Sequence, residues 1–334
     1  MSFFRKIVLL LVMGIFVCGG LFASDFDIFD TYFNGDELND RINRYIKSVS
    51  NLIPDTSTLQ NVWARVPKGG FYLGMGMNGS MAFLSRTEVG SFISGGSNAF
   101  GADNIDLAQF PDGVPFLPGI SLDVRIGISN LDVGVSGMWI DEKALRDMDI
   151  TFFGEGSTFA LQSLGFDVRY TLMLHKVLTG NQFKPFLFQL WPYFTFQAGY
   201  YYTAHRFGIT ADSLGRKESV DVDFRNDSFL LGLQISRDFF NLIAPYAGFK
   251  VIISKTDSEF TWETNRPVMI SGRPYFSGAK YESAGKQGGV DGFSQLVFGL
   301  DLSYNLYSMS LGAAYTLGTD HFSINAAFRV VVGN

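Results

Sequence analysis

The sequence predicts an all-β chain: an antiparallel transmembrane β-barrel of about ten strands, within a range of eight to fourteen, preceded by a helical segment. Three observations carry that prediction. A basic pair, Arg5 and Lys6, precedes an almost wholly apolar run at 7–17, the pattern of a secretory leader. Across 120–140, Ile120, Leu122, Val124, Ile126 and Ile128 alternate with Ser121, Asp123, Arg125, Gly127 and Ser129. The alternation then restarts with Leu131, Val133 and Val135 after Asn130. A period of two puts the apolar side chains on one face, and a tight turn at Asn130 makes the pair an antiparallel hairpin. The connections between such stretches, thirdly, tend to alternate between short and long, as they do when strands cross a membrane up and down.

The leader predicts cleavage after Ala23, in Leu21-Phe22-Ala23-Ser24. Lipid attachment at Cys18, the only cysteine, is the competing outcome. Removal of 1–23 leaves 24 basic and 32 acidic side chains, a balance that argues against a nucleic-acid partner. It also leaves no thiol for a disulfide or a cysteine metal site. The most apolar later stretch, Phe183 to Ala204, is interrupted by Pro185, Gln189, Pro192 and Gln197, so no membrane helix is expected. Aromatic residues make up 16% of the chain and charged residues 17%, with 37 glycines, which suits strands that meet lipid on one face.

Residues 24–68 differ in kind. Leu38, Ile42, Tyr45, Ile46, Val49 and Ile53 fall at helical spacing and form one apolar stripe, with Asp36, Asp40, Arg41, Arg44 and Lys47 between them. Asn34 or Asp36 can cap the start, and Pro54 is expected to end the helix. One amphipathic helix cannot bury its stripe alone, so it is expected to dock in the barrel lumen as a plug or against the periplasmic mouth. The domain plan is thus 1–23 leader, 24–68 helical segment, 69–334 barrel.

The strands follow in order. The first begins at Phe71 and runs to about Leu84. The loop expected at 86–117 includes Ser94-Gly95-Gly96-Ser97, and the hairpin at 120–140 comes next. A charged loop at 141–157 precedes a strand in which Leu164, Phe166, Val168, Tyr170 and Leu172 alternate with Gly165, Asp167, Arg169 and Thr171. Phe186 to Tyr202 reads as another, with a bulge or break at Pro192. A polar loop is expected at 207–219. Beyond it Val220 and Val222 carry one parity and Phe229, Leu231, Leu233 and Ile235 the other, a phase flip that predicts a bulge near Asn226. Ala247 to Ile253 resumes the pattern, 261–291 reads as a long loop, and Leu296–Tyr304, Met309–Leu317 and Phe322–Val332 close the chain. Turns near 130, 175–185, 239–243 and 306–308 are short, whereas 86–117, 141–157, 207–219 and 261–291 are long. The tight turn at 318–321 is the one exception. Trp139, Tyr170, Trp191, Tyr193, Tyr200, Tyr201, Tyr202, Tyr246, Tyr304 and Tyr315 are candidates for interfacial girdles.

These patterns resemble bacterial outer-membrane β-barrels. More narrowly, Leu59-Gln60-Asn61-Val62-Trp63-Ala64 before Phe71-Tyr72-Leu73-Gly74-Met75-Gly76 resembles an uncharacterised group with a helical leader ahead of a glycine-alternating first strand. The leader is also distantly similar to the N-terminal hatch of long-chain fatty-acid transporters, with Ile53-Pro54-Asp55 standing where that family carries Asn-Pro-Ala. The resemblance implies a bacterial outer-membrane location, outer-membrane lipid and the barrel assembly machinery as partners, and a small hydrophobic solute as cargo.

If the apolar faces meet lipid, Asp123, Arg125, Asp132, Asp167, Arg169, His205, Lys250, Asp301 and Arg329 face the lumen. Asp-Val-Arg occurs at 123–125 and again at 167–169, setting unlike charges two residues apart on one face. Such charges form either a selective constriction or a salt-bridge network filling a narrow barrel, and about ten strands favour the network. Gly74-x-Gly76-x-x-Gly79 matches a dinucleotide fingerprint in letters only, because no helix follows it. His175, His205 and His321 have no partners at metal-ligand spacing. No catalytic, metal or cofactor set is expected, and no enzyme. Passive uptake is the expected function. A surface protein that binds a host or matrix partner through its loops is the alternative, and a rim hydrolase built on His205 with Asp212 or Asp221 is a third reading.

Overall fold

In the computed structural model the described residues are 50–55, 57–58, 70–85, 113–141, 157–173, 192–213, 216–240, 242–264, 268–270, 273–276, 281–283, 291–319 and 321–333. Ten long strands make the wall: β1 (Phe71–Ser85), β2 (Gly113–Ile128), β3 (Leu131–Asp141), β4 (Ser157–Met173), β5 (Tyr193–Ser213), β6 (Arg216–Ser236), β7 (Ile243–Thr264), β11 (Asp291–Tyr304), β12 (Tyr307–Leu317) and β13 (His321–Gly333). Three short ones, β8 (Val268–Ile270), β9 (Arg273–Phe276) and β10 (Tyr281–Ser283), lie between β7 and β11. Every wall strand pairs antiparallel with its neighbours, and the ring closes because β13 pairs with β1. The chain is a closed ten-strand antiparallel barrel, with β10 added to β7 at Phe260–Trp262.

The alternation read from the sequence sets the two faces. On β13, Phe322, Ile324, Phe328 and Val332 are exposed while His321, Ser323, Asn325, Ala327 and Arg329 are buried. The exposed apolar side chains form a band around the wall, which on β7 runs from Ile243 to Ile253. That length matches the 9–11 residues a tilted strand needs to cross a hydrocarbon core. Turns at 129–130 and 305–306 mark one end of the barrel, the short-turn end, with Ser129 and Asn305 at positive φ. Gly70, just ahead of β1, lies at this end too, accepting a hydrogen bond from the backbone N–H of Ser129.

Several expected boundaries move, for one physical reason. β5 and β6 run on through 207–219 and are separated by only two residues, so the polar loop expected there is strand. The bulge expected near Asn226 is absent, because the β6 registers with β5 and β7 are unbroken. Phe224 and Asn226 both face inward, and Arg225, Asp227 and Phe229 outward. Beyond the lipid band the outside of the wall meets water, so its outward residues become polar with no change of phase. At the other end, β5 starts at Tyr193, directly after Pro192, and nineteen residues separate it from β4. The short turn expected at 175–185 and the strand start expected at Phe186 lie outside the described residues. β2 begins at Gly113, inside the loop expected at 86–117, and a register shift between Met81 and Ala82 accompanies this extension. Tyr201 and Tyr246 are buried, 2% and 5% exposed, and leave the expected girdle for the lumen.

Of the helical segment, 50–55 and 57–58 are helical. Pro54 does not end it: the Ser57 and Thr58 hydroxyls donate to the Pro54 carbonyl as the helical residues continue (3.2 and 2.8 Å). Leu38, Ile42, Tyr45, Ile46 and Val49 lie outside the described residues, as do 1–23, and Ile53 is fully buried.

Candidate functional site: the barrel lumen

Two charge networks fill the lumen side of the wall. The first joins β2, β3 and β4 near the short-turn end. Arg125 donates from Nη1 to Asp132 (2.5 Å) and from Nη2 to both oxygens of Asp167. Arg169 holds Asp132 through Nε and Nη2, both at 2.9 Å. The repeated Asp-Val-Arg explains the geometry. Residues i and i+2 share a face, and Asp132 lies opposite Arg169 in the β3–β4 register. Gly134 supplies the space, since a Cβ there would stand 2.3 Å from Arg125 Nη2.

The second network crosses the closure seam. Arg329, on the last strand, donates to Asp123 on β2 (3.3 Å), to Asn78 on β1 (2.8 Å) and to Ser310 on β12 (3.1 Å). Asn78 donates to Asp123 (2.7 Å), and Ser310 donates to Asp301. Gly76 makes room for it: a Cβ there would meet Arg329 Cγ at 2.4 Å and the Phe328 carbonyl at 2.6 Å. The glycines of the dinucleotide-like pattern thus belong to a strand, and one of them seats an arginine.

A third group involves the helical segment. Asp55 is fully buried against the wall: Gln295 Nε2 and Thr316 Oγ1 donate to its Oδ1 (2.7 and 2.8 Å), and His321 Nδ1 stands 3.5 Å from Oδ2. Lys250 Nζ donates to the Thr58 carbonyl (3.1 Å). Residues 50–55 and 57–58 therefore lie within the lumen, against β7, β11, β12 and β13. The sequence analysis did not single out Gln295 and Thr316, and it weighed His321 only as a metal ligand. Their inward parity was readable, but Asp55, 240 residues from Gln295 and 261 from Thr316 in the chain, was not readable as their partner.

His205 is placed inward and buried, with its ring 6.1 Å from that of Phe207. Neither ring nitrogen has a hydrogen-bond partner among the described residues. Asp221 sits on the outward face of β6, so the barrel wall separates it from His205; the side chain of Asp212 lies outside the described ones. Tyr201, Leu230, Ile252 and Phe293 form an apolar cluster on the inner face of β5, β6, β7 and β11. No group of three or more potential metal ligands occurs among the described residues.

A closed antiparallel barrel with an apolar outer band and a polar, charge-paired interior is a membrane-spanning β-barrel. Three of the solved structures that match the chain are as follows. The translocator domain of autotransporter NalP from Neisseria meningitidis matches over 90% of this chain and 97% of its own, at 9% identity and a TM-score of 0.38. Outer-membrane protease OmpT from Escherichia coli matches over 80% and 96%, at 7% identity and 0.34. The CymD monoaromatic hydrocarbon channel matches over 86% and 94%, at 9% identity and 0.25. No family model and no curated protein matches the chain.

Proposed function

We propose that the chain is a bacterial outer-membrane barrel for passive uptake of a small, largely apolar solute, through a lumen that its own N-terminal segment occupies. The observation that carries this reading is the seat of residues 50–55 and 57–58 inside the wall, held by Lys250, Gln295 and Thr316 with His321 alongside. A segment tied to the wall by polar bonds can be exchanged for water or solute without breaching the β ladder. The cluster of Tyr201, Leu230, Ile252 and Phe293 next to that seat offers the solute apolar surface.

The test is planar-bilayer conductance of the refolded mature chain beside a version lacking 24–68. The uptake reading expects a nearly silent parent and an open pore after deletion. Two silent, folded barrels would overturn it, because the wall's ion pairs would then close the lumen unaided. That result favours the reading in which the part of the barrel beyond the lipid binds a partner.

A further inference from the structure

We propose that the lumen wall carries a carboxylate-binding site, occupied in this structure by the chain's own Asp55. The acidic groups of the two wall networks are already held by wall donors: Asp132 and Asp167 by arginines on β2 and β4, Asp123 by Arg329, Asp301 by Ser310. Asp55 differs, because it reaches the wall from the N-terminal segment. Around it the wall offers two donors, Gln295 Nε2 on β11 and Thr316 Oγ1 on β12, and sets His321 Nδ1 on β13 3.5 Å from its second oxygen. Register places these side by side, Gln295 opposite Thr316 and Thr316 opposite His321. Lys250 lies opposite Gln295 on the remaining side, its Nζ on the Thr58 carbonyl. Among the described residues it has no carboxylate within ion-pair distance, whereas Arg125 and Arg169 each have two and Arg329 has one.

Those four wall side chains are all nine-tenths or more buried. A carboxylate is acceptor-only and takes several donors at once, which is what this seat supplies. When the segment leaves, Gln295 Nε2 keeps Thr316 Oγ1 as an acceptor (3.1 Å), but the seat loses the carboxylate to which both side chains donate, and an unmet buried donor is costly. A solute bearing a carboxylate restores the lost acceptor. Asp55 therefore acts as a resident ligand, and the solute class is an organic carboxylate. Naming a solute as the ligand rests on the uptake reading; the seat itself does not.

Chemical complementation tests it. In Asp55→Ala, made in the full chain and held in detergent micelles, the methyl side chain leaves the donors open to a small carboxylate. Sodium acetate is compared with sodium chloride at equal ionic strength. Acetate is expected to raise the unfolding midpoint of Asp55→Ala by about 3 °C. It should do nothing comparable for the parent or for Asp55→Asn, whose seat is filled, and adding Gln295→Leu and Thr316→Val should abolish the effect. If Asp55→Ala does not fold in chloride, refolding yield in acetate becomes the readout, and recovery is expected. Equal behaviour in acetate and chloride overturns the proposal. An open pore in the 24–68 deletion with no acetate effect on Asp55→Ala leaves uptake standing and removes the carboxylate site. Acetate rescue with a silent deletion does the reverse.

Discussion

Phe240 adopts a left-handed backbone (φ 57) at the tip between β6 and β7, with 93% of its surface exposed. A bulky side chain there meets a steric penalty of about 1–2 kcal/mol that asparagine largely avoids. Phe240→Asn is expected to stabilise the barrel by about 1 kcal/mol, read from urea unfolding in detergent. Gly76 is the opposite case, since its missing side chain is filled by Arg329 and any Cβ also meets backbone. Gly76→Val is expected to cost about 1–3 kcal/mol or to break the closure between β1 and β13, visible as loss of heat-modifiable migration on a gel. Asp167→Ala strands Arg125 with one acid where two now hold it, and a buried charge losing its partner costs about 3–5 kcal/mol; unfolding of that variant beside Arg125→Met/Asp167→Leu separates the stranded charge from the pair. At this scale the sequence was informative wherever period two applied. Arg125, Asp132, Asp167 and Arg169 could be placed inward because each strand carries its own parity. Asn78, Gln295 and Thr316 could not be singled out, nor could the place of His321 beside Asp55 be read, since these roles depend on strands and a segment distant in the chain.

β7 shows how far an element can outrun the membrane. Its 22 residues are about twice what a tilted crossing needs. Past Ile253 its outward positions are Lys255, Asp257 and Glu259; beside them on β5 and β6, Arg206 Nε donates to Asp223 (2.7 Å). The same strand thus reads as apolar-out in lipid and polar-out in water, and this is why 207–219 looked like a loop and Asn226 like a bulge. Strand existence was legible because alternation needs only local pattern; strand ends were not, because the pattern changes with the solvent rather than with the fold. The boundary can be measured. Leu233→Arg, inside the band, is expected to cost about 2–4 kcal/mol of folding into lipid vesicles. Lys255→Leu, just past the band, should stay within about 0.5 kcal/mol. Equal penalties at both positions would mean that the lipid boundary lies elsewhere.

For the whole molecule, closure and polar filling are coupled. Arg329 on the last strand reaches β1, β2 and β12, so the residue that completes the inner network also ties the two ends of the sheet together. The wall heights are uneven as well. β5, β6 and β7 climb far past the band, whereas β12 ends at Leu317 and β13 begins at His321. Among the described strands the rim is therefore cut on a slant, and the Asp55 seat lies under its low side, beneath the Gly318–Thr319 turn. Among the described strands the wall thus has a high side at β5–β7 and a low side at β12–β13, and the Asp55 seat lies under the low one.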